Sequence, residues 1–231
     1  MSQARRLRYY ESLPRERRIE IDDHSWLVTI WDCEANLEHF AKFAYTKDEH
    51  ADGTESVKPF PTREEKPYVW EFLDEALRDQ IKLCEKSRQM MITWSMCVLL
   101  LWVCKFQKNR LCFVQSKKEE DAANLVYNGD PMQARCSFLE FNLPEPLRSD
   151  VTCSYAKMRF TDSGSLLWGI PEGGDQIRSY TASWIFSDEF AFQPEAEASY
   201  RAARPSIAGG GRFIAVSTAQ PGAYMEHMIR R

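Results

Sequence analysis

The chain has no Cys-x-x-Cys pair, no His-Glu-x-x-His stretch and no apolar run long enough to cross a bilayer. Each absence removes a class of protein. The seven cysteines (Cys33, Cys84, Cys97, Cys104, Cys112, Cys136 and Cys153) sit mostly in apolar runs. A free thiol there behaves as a small hydrophobe, so reduced core cysteines in a cytosolic protein are expected rather than a disulfide framework. The four histidines (His24, His39, His50 and His227) have no ligand spacing, which argues against zinc. The longest apolar run, VLLLWV (98–103), falls far short of the about 20 residues a membrane helix needs. No apolar stretch follows the arginines of MSQARRLRYY, so a secretory signal is not expected. Excess positive charge is lacking as well. The net charge is −4, so any contact with nucleic acid has to be local.

What is present suffices for one substantial core with an appended segment: 231 residues, 44% hydrophobic and 13% aromatic. The first 60 residues are mixed. The stretch ARRLRYYESLPRERR carries Arg5, Arg6, Arg8, Arg15, Arg17 and Arg18, either a solvated arm or a contact for DNA or a partner. WLVTIW (26–31) reads as a strand and EANLEHFAKFAY (34–45) as a helix, whereas TKDEHADGTESVKPFP reads as a polar loop or linker. From residue 61 a rhythm begins. The pattern predicts a helix over 68–80, a strand over 81–85 and a helix over 92–106 that is apolar nearly all round and therefore buried. A strand over 110–116 follows, then a helix in KKEEDAANLVYN with Ser116 as its expected cap. Residues 131–150 read as helical or irregular, and a hairpin is expected around Asp162–Gly164. Two apolar strands, 182–189 and 212–218, flank a helix at 194–203. Alternating strands and helices predict an α/β domain over 61–231 with a largely parallel sheet, behind a helical or irregular appendage over 1–60.

Three strand ends carry reactive residues, and in open α/β sheets ligands bind beyond the carboxyl ends of strands. The first is EKSRQMMITW, between a strand and a helix. It has the position of a phosphate-binding loop without the usual glycine or the lysine directly before the hydroxyl residue. Lys86 leaves the strand and its long stem reaches back over the loop, while Thr93 places a hydroxyl at the helix start, suited to Mg²⁺. Alone, this stretch reads better as a polar turn before a buried helix. The second is WIFSDEFAF, an apolar strand ending in Asp188-Glu189, which is the Walker B pattern. Asp188 suits the Mg²⁺ shell and Glu189 the activation of a water. The third is RFIAVSTAQPG, whose Ser217-Thr218 pair is placed to sense a terminal phosphate, or simply to cap the next segment. All three together are much less expected by chance than any one.

With EKSRQMMITW, CFVQSKKEEDAANL, GSLLWGIPEGGDQIRSYTASWIFSDEFAF and IAVSTAQPG in view, the chain resembles the ATPase domain of the viral terminase large subunit over residues 80–222. That resemblance implies a three-layer P-loop ATPase of the strand-catalytic-glutamate type, with ATP and Mg²⁺ as cofactors. It implies a nucleotide loop running Lys86, Ser87, Arg88, Gln89, Met90, Met91, Ile92 and Thr93, with Lys86 as the displaced lysine. Met91 stands where the family usually has glycine. Arg178 matches a trans-acting arginine and Arg88 a cis one, either of which would supply transition-state charge worth about 10³–10⁵ in rate. Arg88 reads equally as a brace pairing with Glu85. Ser217 and Thr218 match the coupling motif. The family's adenine-contacting glutamine has no counterpart, which leaves Tyr68 and Pro67 for the adenine wall.

The resemblance further implies double-stranded DNA held without sequence readout, with Arg201, Arg204 and Arg212 as candidate contacts beside the N-terminal arginines. It implies a portal protein and a small terminase subunit as partners, a homo-oligomeric ring when assembled and a monomer in isolation, working in the host cell cytoplasm. The family's C-terminal nuclease has no acidic cluster here, so no DNA cleavage is expected from these 231 residues. Two rival readings stand beside this one: a helicase-like DNA remodeller, and a scaffold with a decayed nucleotide site.

Overall fold

In the computed structural model, residues 26–49 and 55–230 are described. The arginine-rich arm of residues 5–18 lies outside them. The elements run α1 (Trp26–Ala35), α2 (Leu37–Ala41), β1 (Tyr45–Glu49), β2 (Glu55–Pro59), α3 (Pro67–Arg78), β3 (Ile81–Glu85), α4 (Ile92–Phe106), β4 (Leu111–Gln115), α5 (Glu119–Val126) and α6 (Arg135–Asn142). They continue through β5 (Val151–Ser154), β6 (Lys157–Phe160), β7 (Ser165–Ile170), α7 (Asp175–Arg178), β8 (Trp184–Asp188), α8 (Ala196–Ser206), β9 (Arg212–Ser217) and α9 (Tyr224–Ile229).

Seven strands form one sheet in the order β3-β9-β8-β4-β7-β6-β5. The first five are parallel, and β6 and β5 are added antiparallel at one edge. The expected largely parallel α/β sheet is therefore present, including the β6–β7 hairpin at Asp162–Gly164. The edge strand β5 carries only four residues and was not read from the sequence. Buried strands alternate between the two faces. Phe186 and Val216 join one apolar cluster with Leu99, Leu73 and Phe40, while Ile185 and Ala215 join the other with Phe190, Ile207 and Met225. Helices cover both faces, giving three layers, as a sheet buried on both sides requires. Helix α4 lies deep in the core, with Met96 through Leu101 wholly buried, each large side chain contributing roughly 1.5–3 kcal/mol.

Several local expectations are corrected. WLVTIW is helical, not extended: Ile30 and Cys33 point into the core at helical spacing, and Trp102 Nε1 donates to Cys33 O at 2.6 Å. Its β-branched and aromatic residues suggested a strand, but tertiary burial of one face overrides that preference. The polar stretch after Tyr45 is a hairpin, β1 against β2. Its charges pair across the strands, Lys47 with Glu55 at 2.7 Å and Lys58 with Asp48 at 2.6 Å, which is why composition alone suggested a loop. Ser116 does not cap α5. Lys118 occupies the N-cap without a side-chain bond, and the first turn is instead acidic, with Glu119, Glu120 and Asp121.

One buried charge pair ties two elements together. Lys105 of α4 and Glu140 of α6 are each 2% exposed. Lys105 Nζ donates to both Glu140 oxygens, at 2.9 and 2.8 Å, and to Ser149 Oγ at 2.9 Å, while Ser149 N donates to Glu140 Oε1 at 2.6 Å. Burial holds the Lys105 ammonium below the ordinary lysine range, opposed by the Glu140 charge. No helix of the described residues is long and apolar enough to cross a membrane.

Candidate functional site

Strands β3, β9 and β8 are neighbours, so their carboxyl ends open on one side of the sheet. Lys86 N, just past β3, donates to Ser217 O at 2.9 Å, which locks the start of the loop to the end of β9. The loop then turns through two left-handed residues, Gln89 (φ 61) and Met91 (φ 59, ψ 6), before α4 begins at Ile92. Met91 thus adopts the conformation that glycine adopts without strain. It is held there by partial burial against the core and by Lys66, whose Nζ donates to Met91 Sδ at 3.0 Å. Gln89 is exposed, so its side chain contributes little there, yet it bears the left-handed cost of roughly 1–2 kcal/mol. Gln89→Gly is expected to stabilise the domain by about 0.5–1 kcal/mol, read from the urea midpoint, because relief of strain outweighs glycine's added unfolded-state entropy.

Six of the predicted residues converge here. Thr93 Oγ1 lies 3.1 Å from Asp188 Oδ1, Lys86 Nζ 3.1 Å from Glu189 Oε1, and Ser217 Oγ 3.3 Å from Glu189 Oε2; Thr218 N approaches the same oxygen at 3.5 Å. Glu189 leaves β8 in a left-handed conformation (φ 49, ψ 42), the kind of strained backbone that concentrates at working sites. Asp188 is only 7% exposed. Burial pushes its carboxyl above the ordinary range, Lys86 and Arg135 oppose that, Glu189 adds to it, and the Thr93 hydroxyl opposes it. A buried carboxylate beside a hydroxyl is an all-oxygen donor pair, which fits a hard cation such as Mg²⁺.

Other predicted residues lie apart from this cluster. Arg88 is exposed on the loop. Arg178 is 60% exposed and faces Asp175 of its own helical turn at 3.6 Å. Tyr68 packs partly against the core on α3, which starts at Pro67. Arg201 pairs with Glu197 at 2.7 Å and, with exposed Arg204, lines an open cleft of about 510 Å³ beside Tyr200, Tyr224 and His227. Arg212 is tied into the fold: its Nη2 donates to Leu77 O at 2.7 Å and its guanidinium lies 5.0 Å from the Trp184 ring.

Some contributors were not legible in the sequence. Gln193 Nε2 donates to Asp188 O at 2.9 Å and to Ser187 Oγ at 3.0 Å, and Ser187 Oγ donates to Gln115 Oε1 at 3.3 Å. This buried chain of amides and a hydroxyl fixes the end of β8 from behind. Arg135, at the start of α6, places its guanidinium 5.6 Å from the Trp94 ring. Only the polar residues Gln115 and Gln193 beside apolar strands hinted at the first group, and nothing singled out Arg135.

No family model matches the chain, and no curated protein matches it by sequence. Similarity of fold is found. The crystal structure of the HK97 bacteriophage large terminase superposes with a TM-score of 0.58 at 13% identity, over 81% of this chain and 38% of that one. The ATPase domain of the Thermus phage P74-26 large terminase gives 0.48 at 14% identity, over 64% of this chain and 62% of that one. The N-terminal domain of the DNA packaging ATPase from bacteriophage phi29 gives 0.47 at 15%, over 69% and 84%. The HK97 similarity establishes a shared fold, that of a phage large terminase. This chain spans 38% of the HK97 protein's length.

Proposed function

We propose that this chain is an ATP-hydrolysing motor domain of the terminase type, coupling hydrolysis of Mg–ATP to translocation of double-stranded DNA into a procapsid. One observation carries the reading: Lys86, Thr93, Asp188, Glu189 and Ser217, from three separate segments, meet in direct contacts at the carboxyl ends of adjacent strands. The shared fold with a phage large terminase supports it.

In this reading Lys86 carries its charge to the nucleotide phosphates, leaving Glu189. A lysine acts as a point charge and needs reach rather than a fixed slot. Thr93 and Asp188 would hold Mg²⁺, which would supply positive charge against the charge developing on the phosphates. Glu189, freed from Lys86 but still oriented by Ser217 and Thr218 N, takes the proton of the attacking water. Loss of the terminal phosphate changes what Glu189 faces, and Ser217-Thr218 pass that change along the chain towards α9. Arg178, exposed and weakly engaged, is suited to reach a neighbouring subunit's nucleotide in a homo-oligomeric ring. DNA would be gripped through its phosphates with strong salt dependence, and Arg201 and Arg204 are the described candidates. Portal and small-subunit contacts belong to the same proposal. A scaffold with a decayed site is favoured by Met91 and the displaced lysine but disfavoured by the intact Asp188-Glu189 pair, both members of which are engaged by loop residues.

The test is calorimetric titration with Mg–ATPγS of the parent protein and of Lys86→Ala and Thr93→Ala variants of confirmed fold. Saturable binding by the parent, weakened at least tenfold by Lys86→Ala, is expected. Undiminished binding by Lys86→Ala would remove the displaced-lysine loop. Absence of binding by the parent would favour the scaffold.

A further inference from the structure

Lys86 is not the only cation near the buried carboxylate. Arg135 opens α6, which packs along α4, and is half-buried. Its guanidinium rests on Trp94, the residue after Thr93, with 5.6 Å to the ring centroid, and Thr93 itself touches Asp188 at 3.1 Å. Trp94 is fixed in turn by an edge contact with Phe138 of α6, at 6.0 Å between centroids. Cation–π attraction to a ring uses none of a guanidinium's N–H donors, which leaves them for bidentate phosphate recognition. Among the described residues the Arg135 side chain has no ion pair and no hydrogen bond, so those donors are uncommitted. Its positive charge is nonetheless felt at Asp188, together with that of Lys86. Arg88 and Arg178 offer no comparable arrangement, since both are exposed.

We propose that Arg135 is a further phosphate-binding residue of the site, contacting the terminal phosphate of a bound nucleoside triphosphate from within the same chain. This rests on the ATPase reading. It gives the domain a way to distinguish triphosphate from diphosphate before any neighbouring subunit contributes. Trp94 presents the guanidinium already oriented, so little side-chain freedom is lost on contact.

Calorimetry with Mg–ATPγS and with Mg–ADP, on the parent and on Arg135→Ala and Arg135→Lys, tests the assignment; thermal unfolding confirms the fold of each variant. Arg135→Ala is expected to lower affinity for Mg–ATPγS at least tenfold and for Mg–ADP less than twofold. Arg135→Lys is expected to restore part of the triphosphate affinity, and Trp94→Leu to reproduce part of the loss. Equal weakening of both nucleotides would make Arg135 a structural residue and overturn the proposal. So would an unchanged ATPγS affinity in Arg135→Ala when the parent binds, and in that case the ATPase reading survives. A parent protein that binds neither nucleotide overturns both.

Discussion

Glu189→Gln is expected to bind Mg–ATP with near-parental affinity and to lose about 10²–10⁴-fold in turnover, the range typical of removing a general base. The substitution keeps shape and one acceptor oxygen, while the other oxygen becomes an NH2 donor. It removes charge, basicity and the acceptor for Lys86, and the remaining oxygen can still accept from Ser217 Oγ and Thr218 N. In this structure Lys86 and Glu189 neutralise one another at 3.1 Å, with Lys86 9% and Glu189 40% exposed. Lys86 must leave that pair to serve the phosphates, and a neutral amide at position 189 holds it less firmly, so affinity is not expected to fall. Steady-state phosphate release measured beside calorimetry reads both quantities. Parental turnover in the variant would take the water-activating role away from Glu189. Loss of binding and turnover together would mean that the carboxylate shapes the loop rather than acting on water.

The largest effect on stability is expected at Lys105→Met. Glu140 would remain as a carboxylate without its counter-charge, 2% exposed and keeping only the bond from Ser149 N. Breaking a buried pair in this way costs about 3–5 kcal/mol, against a total domain stability of roughly 5–15 kcal/mol. At roughly 2–4 °C per kcal/mol for a domain of this size, Tm should fall by about 6–20 °C. The double variant Lys105→Met/Glu140→Leu should recover most of that loss, because the cost lies in the orphaned charge and not in the absence of an ion pair. Urea unfolding of both variants decides the point. If the double variant is as unstable as the single one, packing around the ammonium stem is the true contribution.

The parts of the fold legible in the sequence are those where local pattern and final burial agree. IKLCE and the helix from Ile92 to Phe106 fall where periodicity places them, since strand and helix are buried in the manner their composition suggests. WLVTIW misled because a run of mostly β-branched and aromatic residues says nothing about which face will meet the core. The β1–β2 hairpin misled because its stabilising charge pairs look like solvent-exposed polarity until the strands are set side by side. At the candidate site, Lys86, Thr93, Asp188, Glu189, Ser217 and Thr218 were each readable from strand-end chemistry. Gln193 and Arg135 were not, because their relation to Asp188 is made entirely by tertiary packing. The left-handed Met91 was not legible either, since nothing in a methionine's side chain announces a positive φ.

The order β3-β9-β8 has a consequence for how the molecule comes into being. Within the sheet β3 pairs only with β9, and Gln80, at its entry, bonds to Ile207 across 127 residues of chain. At about 5–20 residues per second, the ribosome takes several seconds or more to supply β9 once β3 has emerged. Until then the strand that leads into Lys86 is unpaired, and the loop that follows it has no partner for its first amide. Closure of so long a loop is entropically slow, and sheets built from such non-local pairings fold late. On the ATPase reading proposed above, nucleotide capacity should therefore be among the last properties a nascent chain acquires.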